Sequence, residues 1–234
     1  DHTGSGIQKS IDGGKTWKQI NAGLPEAKHR GRIGLDIAHS NPKVLYAFVD
    51  NYEKAVSDSG LTASDNYGRP SSGAIRGATV YRTDDRGDTW KQVSGLADST
   101  RRYMERHSAT YGWVFGQISV DPNDENTVYT MGLGLNVSND GGKSFRPLRG
   151  MHSDHHGLWI DPNNSDYMVN VNDGGAVVSY DRGKNWRSFA DKIHSTQFFN
   201  IAFDMGSPFK VYGSIQDHFS YKGVVDLSRG RDRI

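Results

Sequence analysis

Cysteine is missing from the 234-residue sequence, which excludes disulfides and thiolate chemistry. Its 28 lysines and arginines are matched by 27 aspartates and glutamates, so there is no net field to hold nucleic acid or an anionic membrane. No apolar run approaches the ~18 residues of a membrane span, and no apolar signal segment is visible. We therefore expect no nucleic-acid partner and no direct membrane span.

Apolar residues are also scarce, at 35% of the chain, whereas glycine occurs 28 times. This composition favours many short strands joined by tight turns over a helical bundle. The length is sufficient for one all-β domain with a sizeable core. Because the first residue is Asp and not Met, we expect a processed form or a piece of a longer protein.

One eight-residue pattern, Ser/Thr-x-Asp-x-Gly-x-Thr/Ser/Asn-aromatic, occurs four times, at 10–17, 83–90, 138–145 and 179–186. Chemistry that needs one site does not need four copies, whereas a repeated fold needs the same turn each time. The octets therefore predict structural turns, with carboxylates accepting backbone N–H groups and glycines at positive φ. The octet aspartates are Asp12, Asp85, Asp140 and Asp181. The octet aromatic residues, which we expect to be buried between packed sheets, are Trp17, Trp90, Phe145 and Trp186.

A second recurring element is an Asn/Asp-Pro turn between two apolar runs, at 38–50, 120–132 and 160–173, with a looser relative at 203–217. Together with the octets it predicts an all-β chain of four-stranded antiparallel β-propeller blades, in which about four to five blades form a partial propeller. We expect a single domain, 1–234, or a fragment of a larger propeller. The predicted blades are 4–21 (partial), 32–94 with an insert at 52–77, 113–149, 154–191 and 197–234 (partial).

The octets resemble the Asp-box, or BNR, repeats of propeller proteins. The stretches "GRIGLDIAHSNPKVLYAFVDN", "DHHGLWIDPNN", "NDGGAVVSYDRGKNW" and "VYGSIQDH" are similar to the family that contains sortilin-like receptors and xyloglucan-cleaving glycoside hydrolases. The resemblance implies a secreted, periplasmic or cell-surface location. It leaves activity open, because the family includes receptors, assembly factors and enzymes.

Antiparallel strands place successive loops at alternate ends of a blade, so the octets share one face with the Asn/Asp-Pro turns. The opposite face collects the long segments, including 95–112, 151–157 and 172–175, and binding sites usually form on such loops. We therefore predict the site there. The candidate ligand-binding residues are His152, His155, His156, Arg32, Asp50, Tyr103, Arg106, Gln216 and His218.

The segment "HSDHH" at 152–156 carries the sharpest chemical signal, since histidines beside a carboxylate can handle protons or hold a divalent metal. We consider a metal near His152, Asp154 and His156 as one expectation, and no bound cofactor as the other. Asp154, Asp173 and Asp217 are the candidate catalytic carboxyl groups, because glycoside hydrolysis uses a carboxylate pair. Arg101 and Arg102 join Arg32 and Arg106 as groups able to receive a carboxylate ligand bidentately.

Two functions remain open from the sequence. The first is a non-catalytic binding module or scaffold subunit that holds a protein, peptide or glycan, with the rest of a larger propeller chain or a partner subunit beside it. The second is a glycoside hydrolase of the xyloglucanase type, an endo-glucanase using paired aspartates on the loop-rich face. Whether the protein is an enzyme is thus undecided at this stage, and binding is favoured because no acid pair can be placed with certainty.

Overall fold

A computed structural model describes residues 4–55, 74–106, 116–189, 198–216, 219–226 and 228. The chain divides into two compact units, Asp1–Ala190 and Asp191–Ile234. No helix among these described residues is long and apolar enough to cross a membrane.

The first unit is built of antiparallel sheets. A two-stranded sheet contains β1 (Gln8–Lys9) and β2 (Lys18–Gln19), and a short 3-10 turn follows at Ala27–His29. Sheet one contains β3 (Arg30–Ile37), β4 (Leu45–Lys54), β5 (Ile75–Thr83) and β6 (Lys91–Gln92). Sheet two contains β7 (Gln117–Asp121), β8 (Asp124–Met131), β9 (Leu135–Ser138) and β10 (Arg146–Leu148). Sheet three contains β11 (His155–Asp161), β12 (Asn164–Asn172), β13 (Gly175–Ser179) and β14 (Arg187–Ser188).

The second unit is a three-stranded antiparallel sheet. Its strands are β15 (Phe198–Asp204), β16 (Phe209–Ile215) and β17 (Ser220–Val225), hydrogen-bonded in chain order. The unit carries a dense set of apolar side chains, of which Phe199 and Phe203 are 74% and 66% exposed.

Strand order follows chain order in every four-stranded sheet, as in the blades of a β-propeller. The sheets of the first unit pack face to face through three apolar layers. Ile7, beside β1, clusters with Ala47 and Val49 of sheet one. Tyr46 and Phe48 of sheet one cluster with Val120 of sheet two, and Tyr129 of sheet two clusters with Met168 of sheet three. This all-β architecture of four-stranded blades confirms the sequence prediction.

All four octets form the same hydrogen-bonded turn between the last two strands of a sheet. In the third octet the Ser138 hydroxyl donates to Asp140 Oδ1 at 2.7 Å and accepts the Gly142 N–H at 2.8 Å. The Ser144 N–H and hydroxyl both donate to the Asp140 carboxylate, at 3.0 and 2.5 Å. Equivalent bonds surround Asp12, Asp85 and Asp181. The octet carboxylates are therefore occupied within their own turns.

These bonds keep the carboxylates ionised. The side-chain bond from Thr83 is the largest cause that lowers the pKa of Asp85 to about 2, and the bond from Thr16 does the same for Asp12. Since both folded pKa values lie below the ordinary 3.8, the turns are fully formed above that pH and weaken as the pH falls towards 2.

The octet turns lie beside the turns between the first two strands of the same sheet. The N–H that precedes the octet glycine donates to a carbonyl of that neighbouring turn in each sheet. The bonds are Arg86 to Lys43 (2.9 Å), Gly141 to Asn126 (2.8 Å) and Arg182 to Asp166 (3.2 Å). Both turn types therefore occupy one end of each sheet, which leaves the other end to the remaining loops.

Octet aromatic residues pack against the last strand or its continuation in the preceding sheet. Trp90 is 3% exposed and its Nε1–H donates to the Ile20 carbonyl at 2.8 Å, and Trp186 packs on the cluster that contains Leu148. Trp17 differs, because its side chain is 60% exposed. The prediction of burial is wrong for Trp17, since no sheet among the described residues precedes the β1–β2 pair.

Helix α1 (Asp98–Arg106) falls in the segment 95–112, which the sequence analysis treated as a loop. Its buried face carries Met104, which joins the apolar layer between sheets one and two. The Tyr103 hydroxyl donates to Asn136 Oδ1 of β9. Helix α1 thus packs on β5 of sheet one and contacts β9 of sheet two.

Candidate functional site

The candidate site lies where the chain enters sheet three, at the end of that sheet opposite its octet turn. The residues before β11 and the turn between β12 and β13 meet there, because β11 and β12 are antiparallel and pair His155 with Asn172. We call His152, Asp154, His156 and Asp173 the entry site.

Asp154 has an unusual backbone conformation, with φ of 64°. Its N–H donates to the Leu133 carbonyl at 3.1 Å, and the next N–H, of His155, donates to the Gly132 carbonyl at 2.9 Å. Both acceptors belong to the β8–β9 turn of sheet two. A left-handed conformation is costly for a residue with a Cβ atom, and these two bonds to the neighbouring blade stabilise that backbone, while the Ser153 hydroxyl donates to Asp154 Oδ2 at 2.9 Å.

His156 and Asp173 form a hydrogen-bonded pair, with Nε2 and Oδ1 2.8 Å apart. The two side chains are 45% and 46% exposed, so the pair is open to solvent. It joins the first strand of sheet three to the turn after the second. The arrangement can present an imidazole and a carboxylate together to a polar ligand.

His155 points to the opposite side of the strand and is buried. Its Nδ1 lies 2.8 Å from Asn170 Oδ1, while Asn170 Nδ2 donates to the Gly157 carbonyl at 2.9 Å. Since Asn170 Oδ1 can only accept, Nδ1 of His155 carries the proton. Burial is the main cause that lowers the pKa of His155 below its ordinary 6.5. The structure thus gives this histidine a structural contact, although we expected it to meet a ligand.

This burial predicts a pH-dependent stability. In the unfolded chain His155 binds a proton at its ordinary pKa of 6.5, whereas in the folded protein the pKa of His155 is lower. The stability contributed by neutral His155 is therefore fully present above pH 6.5. It is lost as the pH falls from 6.5 to the lower pKa of the folded protein. We expect urea unfolding between about pH 7 and 5 to show a steeper loss for the wild type than for His155→Gln, by up to about 1.4 kcal/mol per pH unit. Equal slopes would contradict the assignment.

His152 is exposed, and its ring contacts its own segment, with Nδ1 3.1 Å from the Ser153 carbonyl oxygen. Its Cβ faces the β12–β13 turn, because a Cβ on Gly174 would lie 2.5 Å from it. Among the described residues, no group of three or more histidine and acidic side chains is placed to hold a metal ion. The metal expectation near His152, Asp154 and His156 therefore finds no support in this geometry.

The other predicted site residues are dispersed. Asp50 of β4 is 5% exposed, and its carboxylate covers Gly31, where an added Cβ would lie 2.8 Å from Oδ2. Arg32 and Gln216 are exposed, the former on β3 and the latter after β16. Tyr103 is half-buried against the apolar layer. The side chain of Arg106 and the whole of Asp217 and His218 lie outside the described residues, so their proposed roles stay predictions.

Several residues that shape the entry site escaped the sequence analysis. Asn170 and Asn172 lie on β12 and are 0% and 8% exposed, and Asn172 Oδ1 accepts the Gly174 N–H at 2.9 Å. Gly132 and Leu133 act through backbone carbonyls, which no side-chain pattern reveals. Two asparagines at alternate positions of the mostly apolar second half of the strand, residues 167–172, were the available signal.

No protein-family model and no curated protein matches this sequence. Its structure is similar to a GH74 enzyme from Niastella koreensis (TM-score 0.56, 16% identity, 94% of this chain and 33% of that one). It is also similar to the GH74 xyloglucanase from Xanthomonas campestris (TM-score 0.52, 13% identity, 97% and 34%). YCF48 from Cyanidioschyzon merolae follows at a TM-score of 0.43, with 15% identity over 86% and 58%. The first two likenesses establish the fold, and the chain spans about a third of those enzymes' length.

Proposed function

We propose that this chain is part of an exported, sortilin-like Asp-box propeller that acts as a binding module or scaffold subunit. The entry site holds a protein or peptide segment or a glycan, and the rest of a larger propeller chain or a partner subunit lies beside it. The observation that carries the proposal is the half-exposed His156–Asp173 pair, held at the end of sheet three away from the octet turn. A location outside the cytoplasm follows from the resemblance to sortilin-like proteins.

The fragment character of the chain is supported by Trp17. Its counterparts Trp90 and Trp186 pack against a preceding sheet, whereas Trp17 is 60% exposed. An indole of this size is a strong candidate for burial by a further blade, because burying it removes a large apolar surface from water.

The binding proposal is tested with two probes, a xyloglucan oligosaccharide and an array of unstructured peptides. We expect Asp173→Asn to weaken binding of the recognised probe by about tenfold or more, because the exposed carboxylate is lost while its shape remains. Asp166→Asn is the matched control: it removes the same charge from an exposed ion pair with Arg182 at the other end of sheet three.

Equal weakening by Asp173→Asn and Asp166→Asn would contradict an entry-site ligand and indicate a general charge effect. Unchanged affinity in both variants would show that the probe does not bind at the entry site. Absence of binding to both probes would contradict the binding proposal.

Glycoside hydrolysis is the second candidate, and the backbone of Asp154 favours it. Asp154 is a non-glycine residue held at φ of 64°, a sparsely populated conformation that also occurs in active sites, and a second carboxylate, Asp173, belongs to the same entry site. This function predicts release of reducing sugar from xyloglucan that disappears in Asp154→Ala. Hydrolysis by the wild type that Asp154→Ala abolishes would replace the purely binding account.

A further inference from the structure

The sequence contains three Asp-Gly dipeptides, at 12–13, 140–141 and 173–174. Two of them lie in octet turns, and the third lies in the turn between β12 and β13. Because glycine has no side chain, its backbone nitrogen can approach the carboxyl carbon of the preceding aspartate. We infer that Asp173 is a site of spontaneous isoaspartate formation, whereas the octet turns protect Asp12 and Asp140. The inference does not rest on the proposed function, since the reaction needs no ligand.

The reaction is a rearrangement that needs only water. The Gly174 nitrogen attacks Cγ of Asp173, the N–Cγ bond forms, and one carboxyl oxygen leaves as water, so that a succinimide ring closes. Water then opens the ring at one of its two carbonyl groups. Opening at Cγ restores aspartate, whereas opening at the main-chain carbonyl leaves the chain linked through Cγ, which is isoaspartate. No atom is gained or lost overall, and no oxidant or reductant takes part.

The octet turns hold their carboxylates away from this reaction. In the first octet the Ser10 hydroxyl donates to Asp12 Oδ1 at 2.8 Å, and Thr16 donates its N–H to Oδ1 at 2.9 Å and its hydroxyl to Oδ2 at 2.6 Å. Equivalent bonds hold Asp140. Rotation of either carboxyl group towards the following glycine breaks these bonds together. The bond from the Thr16 hydroxyl is also the largest cause that lowers the pKa of Asp12 to about 2, so the neutral carboxyl group that loses water is scarce at neutral pH.

The carboxylate of Asp173 is held less firmly. Its Oδ1 lies 2.8 Å from His156 Nε2, and its Oδ2 has no hydrogen bond within the part of the chain that the structure describes. Rotation of this carboxyl group towards Gly174 therefore breaks one bond, to an exposed side chain, where the octets lose several.

The glycine nitrogen does not distinguish the sites. The Gly174 N–H donates to Asn172 Oδ1 at 2.9 Å, and the Gly141 N–H of the third octet donates to the Asn126 carbonyl at 2.8 Å. Attack breaks one such bond in either turn. The difference in rate that we expect therefore comes from the carboxylates.

His156 supplies a proton at the leaving oxygen. Since a carboxylate oxygen can only accept, Nε2 carries the proton in its contact with Asp173 Oδ1. Transfer of this proton to Oδ1, together with the proton released by the attacking nitrogen, lets the oxygen leave as water, and the ring regains its proton from solvent. In the isoaspartate product the carboxylate is one methylene group closer to the backbone, so we expect its bond to His156 to be lost.

The test follows the folded protein during prolonged incubation in H₂¹⁸O, at neutral and mildly acidic pH. Mass spectrometry with electron-transfer fragmentation locates isoaspartate and ¹⁸O at each Asp-Gly dipeptide. We expect Asp173 to react about tenfold faster than Asp12 or Asp140, because several hydrogen bonds must break together in the octets. In a proteolytic digest of the same protein, in which no turn is formed, we expect similar rates at all three sites.

Two histidine variants test the proton donor. His156→Gln is expected to slow the reaction at Asp173 and to leave Asp12 and Asp140 unchanged. His152→Gln is the matched control, because it alters the other exposed histidine of the entry site, whose ring contacts the Ser153 carbonyl.

Three results would overturn the inference. The first is an equal rate at Asp173 and Asp140 in the folded protein, which would mean that the octet turn gives no protection. The second is no ¹⁸O at Asp173 of the folded protein after the digest has reacted. The third is an equal rate at Asp173 in the wild type, His156→Gln and His152→Gln, which would remove His156 from the reaction.

Discussion

Replacing Arg82 with alanine is expected to lower the free energy of unfolding by about 3 kcal/mol, because the buried Tyr46, the partly buried Glu125, and Asn126 lose their donor together. Arg82 of sheet one is 16% exposed, and its Nη1 donates to Asn126 Oδ1 of sheet two at 2.8 Å. Its Nη2 lies 3.1 Å from Glu125 Oε1. The same Nη1 donates to the Tyr46 hydroxyl at 2.8 Å, and that hydroxyl donates to the Glu125 carbonyl. The guanidinium of Arg82 therefore links sheet one to sheet two through a hydrogen bond and an ion pair.

Arg182→Ala is the control for this prediction. Arg182 forms one exposed ion pair, with Nε 3.0 Å from Asp166 Oδ1, and its side chain is 53% exposed. Exposed pairs of this kind contribute about 0 to 1 kcal/mol. Chemical denaturation of both variants gives the comparison, and a loss for Arg82→Ala no larger than that for Arg182→Ala would contradict the inter-blade role.

Gly142→Ala is the second large effect, with an expected loss of about 3 kcal/mol. Gly142 has φ of 86°, which is strained for alanine, and an added Cβ would lie 2.9 Å from Cγ2 of Val93, the residue that follows β6 of sheet one. Two costs therefore act together, one from the backbone and one from overpacking between the blades. Thermal or urea unfolding measures the loss.

The first octet separates these two costs. Gly14 has φ of 88°, almost the same as Gly142, but an added Cβ there meets nothing closer than Trp17 Cζ2, at 3.8 Å. We expect Gly14→Ala to cost about 1 kcal/mol, from the backbone alone. If both substitutions cost the same, the octet turn of sheet two does not pack against sheet one as described.

The repeated turn was predictable because its interactions are local. The bonds around Asp140 join residues at most four positions apart, so the sequence contains every group that makes them. The same locality explains why the strand order is correct: neighbouring strands in chain order pair with each other. Four copies of the octet then fixed the period of the blades.

Contacts between blades were not predictable, because they join residues far apart in the chain. The Asp154 N–H bonds the Leu133 carbonyl of another sheet, and no side-chain pattern marks that acceptor. The sequence does not predict helix α1, because the helix is stabilised by packing Met104 into an apolar cluster of residues that are distant in the chain. Trp17 and Trp186 share one motif but differ in burial, because only the fold determines what stands next to each.

The candidate site was partly predictable. The sequence predicts His156 and Asp173 on one face, and the structure joins them at 2.8 Å. The sequence does not distinguish the exposed His156 from the buried His155, because the contact of His155 with Asn170 spans 15 positions. Alternation along β11 sends neighbouring histidines to opposite sides, so adjacent residues of the same type have different environments.

The central claim is that the octet carboxylates build the fold while the opposite end of the sheets binds the ligand. The most direct measurement compares Asp140→Asn and Asp173→Asn for both unfolding free energy and binding of the probe that the wild type recognises. The account predicts a stability loss with retained affinity in the folded Asp140→Asn protein, and retained stability with weakened binding in Asp173→Asn. The reverse pattern, a stable Asp140→Asn protein that no longer binds the probe, would contradict it.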